Sequence, residues 1–423
     1  MAEKLYIDGF AGLNNFEIEL NKINVLIGEQ ASGKSVVAKM LFFFQNVFIQ
    51  YVEDLIDHNR KTNFLDFALK RFNTQFVINN NENFTIQYET KEITIKFFIK
   101  ENELKVTIND EFSGLLYRIK QLIKFESESS KVLTNTNDKL RIKVVKVINE
   151  FSKEFYYPFY IPAERAFFTA KYKEAFNINR NSTDFSLFHF SNIWNNILND
   201  MKDGLIFKNY FDKSATSITD FISKTKSILK GDLIYNFELD DFEFKYSEFN
   251  YRLPLESLAT GTQVALPMLY SLFFTRFDSS KEGSIVNKIF NIIEEPENHL
   301  FPKSAIEIIK IISIMFNISN NKFLITTHSP FVLSTLNNLI KGGRVEKKFQ
   351  YDKKKLEELY SIIPKYEILN SDDLNVYQIV EGSANDIKDN ETGLISENII
   401  DEASEDDYAE FDKLLDLAFV PNE

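Results

Sequence analysis

Residues Ile27 to Val36, IGEQASGKSV, restrict the fold more than any other stretch of the chain. They match G-x-x-x-x-G-K-[ST] at Gly28, Gly33, Lys34 and Ser35. The continuously apolar INVLIG precedes the match, and VVAKMLFFFQNVFIQYVEDLI follows it with the length and periodicity of a helix. Strand, glycine-rich loop and helix, in that order, make the context in which this pattern cradles phosphates. The backbone N–H groups of Gly28, Glu29, Gln30, Ala31, Ser32 and Gly33 would wrap the anion, and the following helix would point its positive end at it. Lys34 would reach the β and γ phosphates of ATP, and the Ser35 hydroxyl would ligate Mg²⁺.

Hydrolysis needs one carboxylate for the metal shell and another to polarise water, both at the end of a buried strand beside the loop. The stretch KIFNIIEEPENHLFP supplies Glu294 for the metal and Glu295 for the water. His328 follows FLITT at the end of a further strand, where α/β sheets place their ligands, and is the second candidate catalytic group. The remaining histidines, His58, His189 and His299, have no metal-ligand spacing, and no metal is assigned to them.

The rest of the chain divides around these motifs. KLYIDGFAGLNNFEIEL reads as two short strands about a glycine turn, and residues Phe76 to Asn109 alternate as an antiparallel meander with an Asn-rich turn near Asn79 to Asn83. Phe112 to Phe155 reads as helical, FYYPFYIP as a strand, and Ala166 to about Lys230 as an inserted helical lobe. DLIYNFELDDFEFKYSEF alternates again. The helix SAIEIIKIISIMFNIS joins the acidic strand to the histidine strand, a βαβ connection that implies a parallel sheet.

Charge bears on the choice of partner. The net charge of −13 is a C-terminal property, because Ser371 to Glu423 holds 16 of the 62 acidic residues and 2 of the 49 basic ones, leaving the remainder near +1. A near-neutral body does not exclude DNA or RNA. The tail itself reads as a solvated, partly helical segment. With no cysteine, disulfide and thiolate-metal chemistry are excluded. No signal peptide or membrane span is read, since the most apolar run is broken by Gln45, Asn46 and Gln50, and a cytoplasmic location fits.

Four elements in this order, GEQASGKS, LATGTQ, EEPENHLFP and ITTHSP, resemble the ABC-type ATPases of the SMC, RecF and OLD group. Within it they are most similar to the stand-alone ATPases of bacterial antiphage systems such as Septu, Gabija and PARIS. The resemblance spans roughly Lys4 to Ile340. It implies an α/β P-loop NTPase of ABC-head type with an antiparallel β lobe and an inserted helical lobe. It divides the chain into an ATP-binding core with β lobe (1–165 and 286–340), a helical lobe ending in the signature loop (166–285) and an acidic C-terminal extension (341–423). It also implies that ATP is sandwiched between two copies in a homodimer or higher oligomer. Thr260, Gly261 and Gln263 of one copy's LATGTQ would then close on the nucleotide of the other.

The pattern departs from that group in several places. Ala259 stands for the signature serine, Glu294 for the metal-binding aspartate, and Phe301 for the second histidine after the acidic pair. Ala163, Glu164 and Arg165 stand where a glutamine loop is expected, with Glu164 the only candidate substitute. About 80 residues after Ile340 are too few for an appended TOPRIM nuclease, and an HNH centre lacks its histidines. The leading expectation is an ATP-driven sensor or scaffold acting on a separately encoded effector, plausibly a nuclease, in phage defence. The competing expectations are a RecF-like DNA-binding ATPase, for which KLRIKVVK and KKFQYDKKK offer cations, and a module that holds ATP without appreciable turnover.

Overall fold

Alternate residues of the strand Ile23–Gly28 are buried in two different cores, because the sheet to which it belongs is covered on both faces. A computed structural model describes residues 3–58, 62–78, 83–129, 136–152, 155–175, 184–203, 216–249, 251–278 and 288–396. Its strands are β1 (Glu3–Asp8), β2 (Phe16–Leu20), β3 (Ile23–Gly28), β4 (Thr85–Glu89), β5 (Thr94–Lys100), β6 (Glu103–Ile108), β7 (Tyr157–Ile161), β8 (Gly231–Asn236), β9 (Asp241–Tyr246), β10 (Arg252–Pro254), β11 (Ile289–Glu294), β12 (Lys322–Thr327), β13 (Leu374–Val380) and β14 (Ser383–Asp386). Three sheets result: a mixed sheet in the order β14-β13-β3-β12-β11-β7, an antiparallel sheet β2-β1-β4-β5-β6, and a small sheet β10-β9-β8.

In the mixed sheet β13, β3, β12, β11 and β7 run parallel, and β14 closes one edge antiparallel. The helix α1 (Lys34–His58) covers one face together with α2 (Phe64–Gln75), α3 (Asp110–Ser129), α4 (Thr136–Phe151) and the antiparallel sheet. Aromatic residues make up much of that core: Phe43, Phe72 and Phe97 meet edge to face or stacked at centroid distances of 4.5 to 5.7 Å. The other face lies under α5 (Phe167–Ala170), α6 (Tyr172–Ala175), α7 (Phe185–Lys202), α8 (Thr216–Leu229), α9 (Thr260–Asp278), α10 (Pro302–Ile318) and α11 (Pro330–Lys348). A last helix, α12 (Lys353–Ile362), precedes β13.

The expected α/β class, with its parallel sheet, antiparallel β lobe and helical lobe, is observed. The segment 166–285 carries the sheet β8-β9-β10 beside its helices. Most of the Asn79 to Asn83 turn lies outside the described residues, as does the chain from 397 to 423.

One expectation is corrected. Regional charge implies a solvated, partly helical tail from Ser371, but Leu374–Val380 is a strand that pairs along the whole of β3, Leu374 opposite Ile23 and Ile379 opposite Gly28. Its apolar residues Leu374, Val376, Tyr377 and Ile379 are buried, while the acids that dominate the local composition sit in the flanking turns. Alternation within seven residues decided the structure there, and regional charge did not.

Helix α1 has the length and apolarity of a membrane span, yet 78% of its most apolar stretch is buried inside the fold. It is a core helix, consistent with its packing on β7 and β11.

Candidate functional site

The parallel strands deliver their carboxyl ends to one edge of the sheet, and the candidate residues gather there: the loop after β3, Glu294 and Glu295 at the end of β11, and His328 after β12. In the loop, Ala31 has φ 64° and Gly33 φ 100°. A Cβ on Gly33 would lie 2.7 Å from Cδ2 of Leu13, and one on Gly28 would lie 2.7 Å from the Ser32 hydroxyl and 3.0 Å from the Ile379 carbonyl. At Gly33 the left-handed φ also demands glycine, and at Gly28 a Cβ would crowd the Ile379 carbonyl. Ser32 N–H donates to the Glu29 carbonyl (3.2 Å) and shapes the turn. The first amides of α1, those of Lys34 and Ser35, have no partner within the helix and carry its positive end.

Lys34 is 6% exposed, and its ammonium donates to the carbonyls of Gly28 (2.8 Å) and Glu29 (2.7 Å). Burial pulls its pKa below the usual lysine value, against the opposing fields of Glu295 and Glu297. An ammonium held this way is only partly compensated, and a phosphate would complete its pairing.

Glu294 is 2% exposed. Burial raises its pKa, and the nearby hydroxyls of Ser35 and Tyr160 and the charge of Lys39 oppose the rise. Neither hydroxyl closes a full hydrogen bond: Oε1 of Glu294 and Oη of Tyr160 are both buried without a hydrogen-bond partner, and Oε2 accepts only a long bond from Ala163 N–H (3.4 Å). A buried carboxylate oxygen without a donor is costly, and beside a serine hydroxyl at a phosphate loop it fits a divalent cation. Among the described residues no three His, Asp or Glu side chains form a metal cluster, so an ion here would rest on Ser35, Glu294 and phosphate oxygens.

Glu295 takes φ 42°, and its N–H donates to the carbonyl of Thr326 (3.0 Å) and to its hydroxyl (3.3 Å). The side chain is half-buried, and Oε1 lies 3.6 Å from Nδ1 of the more exposed His328, an ion-pair distance rather than a hydrogen bond. The structure thus brings Lys34, Ser35, Glu294, Glu295 and His328 to one edge.

The signature residues lie at the start of α9. Thr260 is exposed at the start of α9, and Gly261 packs so closely on the His299 carbonyl that a Cβ would come within 3.0 Å of it. Gln263 turns inward, its amide donating to the carbonyls of Glu256 (3.2 Å) and Leu255 (3.5 Å). That side chain holds the preceding turn together.

Two residues were missed in the sequence. Glu297, 8% exposed, accepts from the Thr327 hydroxyl (2.6 Å) and from His328 N–H (3.4 Å), and burial raises its pKa. It fixes the histidine loop from below, and its place two residues after Glu295 was the available signal. Arg165 is fully buried against the carbonyls of Glu294 and Glu295. Glu164, the substitute considered for the missing glutamine, is exposed, and the inward-pointing residue is its neighbour.

The profile of the AAA ATPase domain family matches residues 1–333. No curated protein matches the chain. Among solved structures, an SMC head bound to the C-terminal winged-helix domain of ScpA is similar over 91% of this chain and 96% of that one, at 10% identity and a TM-score of 0.41. The SMC head domain from Thermotoga maritima aligns over 92% and 98% at 14% identity and 0.34, and the recombination mediator protein RecF over 91% and 98% at 11% identity and 0.35.

Proposed function

Because the chain belongs to the AAA ATPase domain family, we propose that it is an ABC-type ATP hydrolase that pairs with a second copy of itself and controls a separately encoded effector, a nuclease, in antiphage defence. The observation that carries the hydrolase reading is the buried, donor-less Oε1 of Glu294 beside Ser35 at the phosphate loop. The backbone of Gly28 to Gly33 wraps the phosphates, and Lys34 transfers its ammonium from the loop carbonyls to the β and γ oxygens. Ser35 and Glu294 would hold Mg²⁺, which when bound would offset phosphate charge. Glu295 orients and polarises the attacking water, and His328, kept in place by Glu297, contacts the γ-phosphate or that water. Thr260 and Gly261 close on the nucleotide of the second copy, with Gln263 shaping their turn from inside. The effector and the defence role rest on the motif resemblance.

A RecF-like, DNA-activated ATPase is the second reading, and the exposed Lys347, Lys348, Lys353 and Lys354 favour it. KLRIKVVK favours it less, since Arg141 and Lys143 are engaged by Asp57 (2.9 Å) and Glu126 (2.6 Å).

ATP turnover by the purified chain, with and without DNA and beside Lys34→Ala and Glu295→Gln, separates the readings. Turnover indifferent to DNA and lost in both variants is the expected result, and copurification with the products of neighbouring genes then finds the effector. Stimulation by DNA that both variants abolish selects the second reading. Glu295→Gln turning over like the parent removes the hydrolytic assignment.

A further inference from the structure

Arg165 directs its whole guanidinium at main-chain carbonyls. Nε donates to Val264 (3.2 Å) near the start of α9, Nη1 to Pro162 (3.0 Å) after β7 and to Glu294 (2.7 Å), and Nη2 to Glu295 (2.8 Å). It is 0% exposed, and although burial lowers its pKa to about 10 it stays charged at neutral pH. A planar, rigid fork can fix three chain segments at once in a way that a lysine ammonium or an apolar side chain cannot.

A second contact runs beside it. Pro267 lies inside α9 and has no N–H to give, so the carbonyl of Gln263, four residues earlier, loses its helical partner. The Thr169 hydroxyl of α5 takes that carbonyl at 2.9 Å. The end of the signature loop is therefore tied twice to the segment after β7, and that segment is tied by Arg165 to the backbone of the candidate catalytic acid. Glu295 itself sits at φ 42°, a conformation that a non-glycine residue holds only when its surroundings impose it. Thr326 fixes its amide side and Arg165 its carbonyl side.

We propose that Arg165 is a positioning residue that couples the seat of α9 to the backbone of Glu295, so that closure of one copy's signature loop on its neighbour's nucleotide sets the catalytic carboxylate of its own copy. The inference rests on the reading of Glu295 as catalytic and of the signature loop as closing on a second copy. Its consequence is cooperativity: filling one site prepares the other.

The test is steady-state ATP hydrolysis by the full chain, recording kcat, the half-saturating ATP concentration and the Hill coefficient for the parent, Arg165→Lys, Thr169→Val and Glu295→Gln. Nucleotide affinity is measured in the Glu295→Gln background with and without Arg165→Lys. The parent should be sigmoidal. Arg165→Lys should lower kcat about ten-fold or more and bring the Hill coefficient to one while ATP affinity changes less than about two-fold, a split expected where the lost contacts set the catalytic carboxylate and leave the nucleotide's own contacts intact. A merely structural arginine would reduce the active fraction and leave the Hill coefficient at its parental value. Should Arg165→Lys fail to fold, Thr169→Val, which leaves the fork intact, must lower the Hill coefficient. A hyperbolic parent, or parental kcat and Hill coefficient in Arg165→Lys (in Thr169→Val if the lysine variant does not fold), overturns the coupling. Unimpaired turnover in Glu295→Gln instead overturns the assignment of the acid, and the coupling with it.

Discussion

Glu294→Gln should make the protein more stable and catalytically dead. Oε1 of Glu294 is buried with no donor, Oε2 has only a 3.4 Å contact with Ala163 N–H, and the Tyr160 hydroxyl beside them is also unpartnered. An amide of the same shape removes a buried charge and supplies an N–H to the tyrosine oxygen. Relieving one such buried polar defect contributes about 1–3 kcal/mol. Unfolding entropy of about 2.1 cal/mol/K per residue makes 1 kcal/mol worth roughly 1 °C in a chain of this size, so the nucleotide-free Tm should rise by about 1–3 °C. Turnover in ATP and Mg²⁺ should fall at least about 100-fold, the scale of losing about 2.7 kcal/mol of transition-state stabilisation. Differential scanning fluorimetry without nucleotide and a phosphate-release assay give the two readings on the same preparation. A Tm lowered by 2 °C or more (~2 kcal/mol) would refute the argument, since the carboxylate would then be holding the fold through Ser35 and Tyr160 rather than waiting for a cation.

His189 gives a pH prediction. Its imidazole packs on Phe42 and Tyr157, Nε2 is buried without a partner, and burial brings its pKa down to about 4. The unfolded chain therefore binds the proton first, and stability present above about pH 6.5 declines as pH falls toward 4, by up to about 3 kcal/mol; His189→Phe should flatten that part of a Tm-against-pH curve, and an unchanged slope would contradict it. The buried pair of Lys322 and Glu3, with Tyr88 (2.8 Å) and Gln45 (3.2 Å) also on Glu3, joins β12, β1, β4 and α1. Lys322→Met should cost about 3–5 kcal/mol by stranding the carboxylate, and adding Glu3→Gln should recover most of it in urea unfolding; equal losses in the single and double variants would show no coupling. Gly33→Ala should weaken ATP binding at least about ten-fold, because φ 100° and the 2.7 Å approach to Leu13 leave no room for a Cβ, and titration with a fluorescent ATP analogue reads it directly.

What the sequence revealed followed from local chemistry. The phosphate loop, the acid pair after FNII and the histidine after FLITT each lie at a strand end set by an apolar run of four to six residues, and one βαβ crossover put two of those ends side by side. Long-range relations were illegible. Nothing in PAERAFFTA says that the arginine and not the glutamate turns inward, because three of the four carbonyls that receive it, those of Val264, Glu294 and Glu295, lie about 100 residues or more away, and only that of Pro162 is local. Pro267 could have signalled that a carbonyl near Gln263 would need an outside donor. The strand after Asn370 was hidden by averaging charge over fifty residues where seven mattered.

That missed strand changes how the phosphate loop is held. On one side, Ile379 of β13 brings its carbonyl to 3.0 Å from where a Gly28 Cβ would stand, and on the other Leu13 of the β1–β2 turn lies against Gly33. The two braces also meet each other: a Cβ on Gly382, in the β13–β14 turn, would come within 2.2 Å of the Gly12 carbonyl, and Asn14 N–H donates to the Gly382 carbonyl at 3.0 Å. The antiparallel lobe and the C-terminal hairpin therefore form a continuous collar beneath Gly28 to Gly33. Since β1 is also the centre of the lobe's pairing with β2 and β4, a force on that lobe reaches the loop through Leu13 without passing through the sheet. Leu13→Ala should then weaken nucleotide binding although the Leu13 side chain is fully buried. Unchanged ATP affinity in a folded Leu13→Ala protein would show that the collar supports the fold and leaves the loop independent.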